Sequence, residues 1–306
     1  MAEHPKISVI IPHLNEPGDL RMCLRALAAQ RTEGFAFEII VVDNGSREMP
    51  VFAETLVPGV RLLRETTPGP GPARNLGAAH ARAPLLAFID ADCIAASGWL
   101  AEIVRHFDDH PETDFAGGDI RIRPAEEQLT AIEAYENVYS YRTQSYVQQL
   151  GFAATGNMAV RTAVFRAVGP FGGIGTMEDT RWGQRATAMG YTIAYLPDAR
   201  VYTPSCKSFA ELARRWDRHI AQEFRENRGK PLSLLRWLAR TAVMAASPAV
   251  EVVRIIRSER APTWRERLLA LGCVTRVRLY RARRMLGLAW RDNAASMVDM
   301  WNRESS

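Results

Sequence analysis

The stretch Leu85-Leu86-Ala87-Phe88-Ile89-Asp90-Ala91-Asp92 decides how the chain is read. Five apolar residues follow Pro84 and run into two acids separated by one alanine. A run this short, with no polar alternation, predicts a strand buried on both faces, as in a parallel sheet covered by helices. In such sheets ligands bind beyond the carboxyl ends of the strands, which puts Asp90 and Asp92 at the lip of a cleft. Two carboxylates this close repel each other unless a cation or a donor-rich ligand lies between them. Their oxygens suit Mg2+ or Mn2+. Alone, an Asp-x-Asp triplet is more often just the start of a solvated loop, so the surrounding sequence has to decide.

On the amino-terminal side, residues 7–11 and 38–42 are further apolar runs, and residues 60–63 form a weaker one. Leu20, Leu24 and Leu27 give residues 19–30 a helical spacing. Residues 67–72 form a stiff Pro/Gly loop, and a helix is predicted over 73–82. On the carboxyl side, Ser97 is placed to cap a helix that carries Leu100, Ile103, Val104 and Phe107 on one face. Strands alternating with helices at this pace predict βαβ units and a mostly parallel sheet. Strand-like runs recur at 114–122 and 152–160, a tyrosine-rich helix is expected over 128–149, and residues 169–175 form a glycine-rich loop. Glu178 and Asp179 then open a helix with Trp182, Ala186 and Met189 inward; acids there also suit the helix dipole, so alone they imply no chemistry.

The chain has 306 residues, 47% of them apolar, enough for a core. Its cysteines, Cys23, Cys93, Cys206 and Cys273, lie far apart with no C-x-x-C pair, which disfavours a disulfide framework or zinc site and fits a reducing compartment. No signal peptide is readable before residue 7. The net charge of +5 is unevenly spread. Residues 232–306 hold fourteen Arg, no Lys and six acids, a net of +8, against −3 for the rest. A domain at 1–230 followed by a basic helical tail at 231–306 is therefore expected. Residues 232–256 are apolar but carry four charges, and the longest uncharged run there, 241–250, is far short of the roughly 20 residues a spanning helix needs. An Arg-flanked helix lying in an anionic membrane interface and a helix packed on the body with a solvated Arg face are both open. Nucleic acid is not expected, since no recognised binding motif accompanies the arginines.

Several modest signals fall in one order. They are residues 10–16 (IIPHLNE), 41–46 (VVDNGS), 72–77 (PARNLG), 88–92 (FIDAD), 156–161 (GNMAVR), and Glu178-Asp179 followed by Arg185 and Gly190-Tyr191. This series resembles the family 2 glycosyltransferases, inverting nucleotide-sugar enzymes with the GT-A fold, over about residues 6–226. The resemblance implies an α/β domain with a Rossmann-like nucleotide-binding arrangement and flanking helices, plus the basic α-helical extension. It implies a hexosyltransferase-type activity that moves a sugar, from a UDP-sugar above all, to a glycan or lipid-linked hydroxyl in cell-surface polysaccharide or glycolipid synthesis. A cytoplasmic protein is expected, held at the inner face of the cell membrane if the basic tail lies in the interface.

By the same resemblance, Pro12, Asn15 and Glu16 would line the nucleotide pocket, and Asp43 would accept a hydrogen bond from the base. Arg74 and Asn75 would face the nucleotide and phosphates. Asp92 would ligate a divalent cation, Mn or Mg, with Ala91 as spacer and Asp90 on the ribose, the sugar or the metal. Gly156 and Asn157 would border donor sugar and acceptor. The acceptor hydroxyl needs a base: Asp179, with Glu178 as alternative or support. One departure is expected to matter. Thr203 stands where many relatives carry a metal-ligating His, so either Asp92, diphosphate and water hold the cation or another residue closes the site. Two other readings are weaker. A sugar-nucleotide-transferring enzyme wants a Gly-rich phosphate loop after the first strand, where this chain has His13-Leu14-Asn15-Glu16. A degenerate, membrane-recruited binding module would not be expected to keep both acid pairs.

Overall fold

A computed structural model describes residues 4–32, 34–124, 128–174, 177–227 and 233–291. The chain forms two compact units: Met1–Arg123 with Tyr141–Pro204, and Pro124–Ser140 with Ser205–Ser306. The division thus falls at Pro204/Ser205, earlier than 230, and residues 124–140 join the second unit.

The first half of the chain runs β1 (Ile7–His13), α1 (Pro17–Ala28), β2 (Phe37–Asp43), α2 (Phe52–Leu56), β3 (Arg61–Arg64), α3 (Pro70–His80), β4 (Leu85–Ile89), β5 (Ile94–Ala95), α4 (Trp99–Asp109) and β6 (Phe115–Arg123). After α5 (Ala131–Tyr139), which belongs to the second unit, come α6 (Thr143–Leu150), β7 (Asn157–Arg161), α7 (Thr162–Val168), α8 (Glu178–Ala188) and β8 (Ile193–Pro204). The strands form one sheet in the order β3-β2-β1-β4-β7-β6-β8-β5. Strands β1 to β4 are mutually parallel, as are β6 and β8, whereas β7 is antiparallel to both its neighbours.

The unbroken apolar runs have a direct cause. Alternate residues of β1, β2 and β4 face opposite layers, and both layers are covered by helices. Ile7, Val9, Ile11, Leu85, Ala87 and Ile89 pack with Leu20 and Leu24 of α1 and Trp99 and Ile103 of α4. Ile10, Ile40, Leu86 and Phe88 pack on the other side with Ala73 of α3, Phe165 of α7 and Trp182 of α8. Gly77 lets α3 lie on this face, because a Cβ there would meet Ile10 Cγ2 at 2.5 Å.

Local boundaries differ from expectation where glycine or proline decides them. Helix α3 begins at Pro70, which fits a first helical turn, rather than at residue 73. Helix α4 is entered through Gly98 in the left-handed region, and Ser97 makes no cap. The tyrosine-rich segment is two helices, broken where Tyr141 takes a φ of 48°. Of the run 152–160, only Asn157 onward is strand.

The second unit is helical: α5 with α9 (Phe209–Asn227), α10 (Ser233–Ala246), α11 (Pro248–Ile256) and α12 (Trp264–Arg291). Helix α12 is its centre. Val274 and Val277 pack with Tyr135, Leu212 and Ile255, and Met285 and Leu288 pack with Ile220 and Trp237. Several of its arginines turn inward: Arg278 pairs with buried Glu251 at 2.7 Å, Arg284 with Asp217 at 3.0 Å, and Arg281 lies over the Trp216 ring. So α12 is a packed core helix rather than a free basic one. The expected single apolar helix over 232–256 is interrupted at Ser247-Pro248, where proline starts α11; residue 232 lies outside the described residues. All four cysteines are buried and unbridged, Cys23 and Cys93 in the first unit, Cys206 and Cys273 in the second.

Candidate active site

The carboxyl ends of β1, β2 and β4 lie side by side, and the register sets His13 opposite Asp43. Because β7 runs against β4, pairing Asn157 with Ile89, its amino end arrives at the same edge. A Cβ on Gly156 would stand 3.0 Å from Asp90 Oδ2, so glycine allows the Asp90 carboxylate to approach the backbone there.

At the end of β4, Ala91 is buried in the core while Asp90 and Asp92 are part-exposed, which accounts for the acid–alanine–acid spacing. Arg74, on the first turns of α3 and almost wholly buried, joins the two acid pairs. Its Nη2 donates to Asp90 Oδ1 at 2.6 Å and its Nη1 to Glu178 Oε1 at 3.3 Å. Acids from distant parts of the chain thus meet at one guanidinium, Glu178 lying 104 residues from Arg74 and Asp90 only 16. Arg74 Nε is buried and has no hydrogen-bond partner among the described residues.

Helix α8 presents Glu178 and Asp179 from its first turn. It is fixed by Trp182 Nε1 donating to Gly169 O and by Arg185 donating to the carbonyls of Val168 and Pro170. Burial raises both carboxyls above the usual range, offset in part for each by Arg74. Asp179 Oδ1 accepts from the Thr180 amide at 2.7 Å, and Oδ2 accepts no hydrogen bond among the described residues.

Asp92 is the most perturbed of these acids. Burial, then the charges of Asp90 and Glu16, push it up to about 6. That is the electrostatic mark of a place where positive charge is wanted. Ligand atoms of Asp90, Asp92 and Cys93 lie within 4.8 Å of one another. The two carboxylates suit a hard divalent cation, so the residues fit one. Burial pushes the Cys93 thiol well up, so as a thiol it is a poor third ligand. Thr203 is buried, and the Cys93 thiol donates to Asp92 Oδ1 at 3.5 Å.

At the β1–β2 edge the structure brings in two residues that sequence reasoning does not single out. His13 Nε2 accepts from the Glu16 amide at 3.3 Å, which leaves Nδ1 to donate to Asp43 Oδ1 at 3.1 Å. Ser46 donates its amide to Asp43 Oδ2 and its Oγ accepts from the Asn15 amide. Burial pushes the Asp43 carboxyl up, but hydrogen bonds from Ser46 and His13 outweigh it and hold it below the usual carboxylate range. The available signal was a polar residue ending a buried strand, opposite an acid in register. Asp43 is thus already engaged at both oxygens, Oδ1 by His13 of β1 and Oδ2 by the amides of Gly45 and Ser46 in its own loop. Asn15 adopts φ 56° and accepts from the Arg47 amide; Glu16 is exposed and Pro12 half-buried on β1.

Two expected ligand-facing residues are instead committed to the scaffold. Asn75 exchanges two hydrogen bonds with the Phe171 backbone, 3.0 and 2.9 Å, tying α3 to the loop before α8. Asn157 is buried. The β6–β8 register shifts between Gly118 and Asp119, and the Asn157 amide donates to the carbonyls of Asp119 and Ala199 beside this irregularity, at 2.9 and 2.8 Å. Its Oδ1 accepts from Trp99 Nε1 at 2.9 Å. Asn157→Ala would strand three buried groups, so a loss of about 3–5 kcal/mol in unfolding free energy is expected. Nucleotide affinity below the melting transition should stay within about threefold, since the side chain does not reach the cleft. Denaturant unfolding with nucleotide titration checks both; a stable variant with lost affinity would return Asn157 to the ligand.

With this geometry described, comparison with known proteins decides the family. The glycosyl transferase family 2 model matches residues 8–169. The chain belongs to glycosyltransferase family 2. Glycosyltransferase AglE of Haloferax volcanii is 30% identical over 237 residues, covering 74% of this chain and 73% of that protein. The pre-mycofactocin glycosyltransferase of Mycobacterium tuberculosis is 28% identical over 182 residues, 55% of this chain and 36% of that one. Among solved structures, the mannosyltransferase PcManGT from Pyrobaculum calidifontis, in complex with GDP-Man and Mn2+, aligns over 99% of this chain and 89% of its own with a TM-score of 0.57 at 20% identity. S. aureus TarS 1–349 in complex with UDP-GlcNAc aligns over 98% and 92% with a TM-score of 0.52 at 16% identity. At these identities the likeness shows the fold, which is GT-A. This family 2 chain is a glycosyltransferase, and its acids and Arg74 sit at the strand ends where that fold binds ligands.

Proposed function

We propose that the chain transfers a sugar from a nucleotide-sugar, a UDP-sugar first among them, to an acceptor hydroxyl with inversion at the anomeric carbon. The observation that carries this reading is Arg74 holding Asp90 and Glu178 together, which supports a diphosphate side and an acceptor side of one reaction meeting at one guanidinium. Asp179 Oδ2 takes the hydroxyl proton as the acceptor oxygen bonds to the anomeric carbon. The bond from that carbon to the donor phosphate breaks on the opposite face, and the nucleoside diphosphate leaves with the electron pair. Arg74 places positive charge beside the departing oxygens. Asp92, with Asp90, would hold Mn2+ or Mg2+, which when bound neutralises diphosphate charge. Asp43 and Asn15 order the loop against which the base would lie. The acceptor we infer is a glycan or lipid-linked hydroxyl in cell-surface polysaccharide or glycolipid synthesis, met at the cytoplasmic face of an anionic membrane; the exposed Arg236, Arg240, Arg254 and Arg257 support that placement.

The test is a donor screen. Purified protein is offered UDP-, GDP- and dTDP-sugars with and without Mn2+, and nucleoside diphosphate release and nucleotide binding are both measured. The screen spans these bases because the fold neighbours hold GDP-Man in one case and UDP-GlcNAc in the other. Release from one donor that depends on Asp179 is expected. No release and no nucleotide binding with any donor would end the transferase reading and leave the non-enzymatic binding module.

A further inference from the structure

Helices α10 and α11 are amphipathic in the wrong sense for an aqueous surface. On α10 the buried side carries Trp237 and Thr241, while Leu234, Leu235, Leu238 and Val243 are exposed, Val243 at 70%. At 100° per residue these four sweep about half the circumference, with Arg236 and Arg240 along one edge. On α11 the buried side carries Glu251 and Ile255, while Val250, Val253 and Ile256 are exposed, Val250 at 74%, with Arg254 and Arg257 among them. Between Ser233 and Arg257 the one acid is Glu251. It is turned inward, where Arg278, Arg254 and Tyr139 surround it. Arg240 and Arg254 each reach an acid, yet both remain about half exposed.

Monomeric proteins rarely leave so much aliphatic surface on consecutive helices without a partner. The partner must accept aliphatic side chains and guanidinium groups together while meeting no exposed acid on these two helices. Anionic lipid does this: Leu and Val enter the acyl boundary while Arg stems snorkel to the phosphates. No helix among the described residues is long and apolar enough to cross a membrane, so the contact is lateral. We infer that the exposed faces of α10 and α11 form a docking surface for an anionic bilayer, inserted no deeper than the headgroup–acyl boundary. This deepens the reading of a membrane-borne acceptor by assigning the contact to particular residues, and it rests on that reading for its biological purpose only.

Full-length protein is sedimented with phosphatidylcholine vesicles containing about 30% phosphatidylglycerol, and with pure phosphatidylcholine vesicles, without donor or acceptor. The expected result is binding at least about tenfold stronger to the anionic vesicles at about 50 mM NaCl, and release at about 500 mM. Leu235→Glu with Val250→Glu should lower partitioning at least about 30-fold while the melting temperature and nucleotide binding hold, since both side chains are exposed. Arg236→Glu with Arg257→Glu should remove the preference for anionic over neutral vesicles. The inference is overturned if the wild type does not sediment, or if the Leu235/Val250 variant sediments equally well. It is also overturned if that variant merely converts a dimer to a monomer, in which case a second copy covers the face. Protein that binds nucleotide but not vesicles loses this inference alone; protein that binds vesicles but no nucleotide loses the transferase reading alone.

Discussion

Replacing Asp179 by asparagine is expected to lower kcat for sugar transfer by about a thousandfold while leaving nucleotide affinity within about threefold. The amide keeps the side chain's size and can still accept from the Thr180 amide through its oxygen, so α8 should not move. What disappears is the Oδ2 lone pair that would receive the acceptor proton. Burial raises the Asp179 carboxyl, which brings a carboxylate nearer to working pH and makes it a better base. The same shift fixes the sign of the pH dependence. A base with a raised pKa is progressively protonated as pH falls, so wild-type kcat should decline on the acid side at a pH above the ordinary carboxylate range. The residual rate of Asp179→Asn should lack that limb. Glu178→Gln is the informative control: it weakens the contact to Arg74 and should raise KM together with lowering kcat. Steady-state kinetics and nucleotide titration decide, and equal loss of nucleotide binding and turnover in Asp179→Asn would remove Asp179 from the role of base.

Asp92→Asn is expected to stabilise the protein and disable it. In the folded chain Asp92 titrates at about 6, against 3.8 for the ordinary group. A carboxyl whose folded value is raised penalises the folded state when ionised, so the penalty is present above about pH 6 and disappears as pH falls toward 4. Removing the ionisable group in metal-free protein should therefore raise the melting temperature by about 2–5 °C at pH 7.5 and by almost nothing at pH 4.5. Transfer should fall at least about a hundredfold, with the Mn2+ dependence of whatever rate remains flattened. Scanning calorimetry at the two pH values, with EDTA present, reads the first effect. A variant less stable at pH 7.5, or a difference that ignores pH, would show that Asp92 is not under electrostatic strain. Such a trade between stability and function belongs to sites built to receive charge.

Much of the fold is legible in the sequence because burial on both faces writes itself as unbroken apolar runs: 7–11, 38–42 and 85–89 all became strands within two residues of their expected ends. The acid pairs are legible for the related reason that acids directly after such runs have nowhere to lie but the rim. What is not legible depends on contacts distant in sequence. Nothing around Gly156-Asn157 announces the register shift between β6 and β8 that requires an amide at 157. Nothing around Asn75 announces the loop at Phe171 that it holds. The break at Tyr141 has no glycine or proline to mark it, because a tyrosine holds the left-handed conformation there. The inward turn of Arg278, Arg281 and Arg284 is hidden likewise: a charge count cannot distinguish an arginine facing water from one facing Glu251, Trp216 or Asp217.

The four buried thiols give the molecule an internal gauge of its own breathing. Because Cys23 and Cys93 belong to the sheet unit and Cys206 and Cys273 to the helical unit, a maleimide that must wait for local opening records two separate clocks within one chain. Cys93 sits beside Asp92, so its clock runs at the donor end of the proposed reaction, and ligands that quiet the site can be followed there through a native thiol, with no cysteine engineered in.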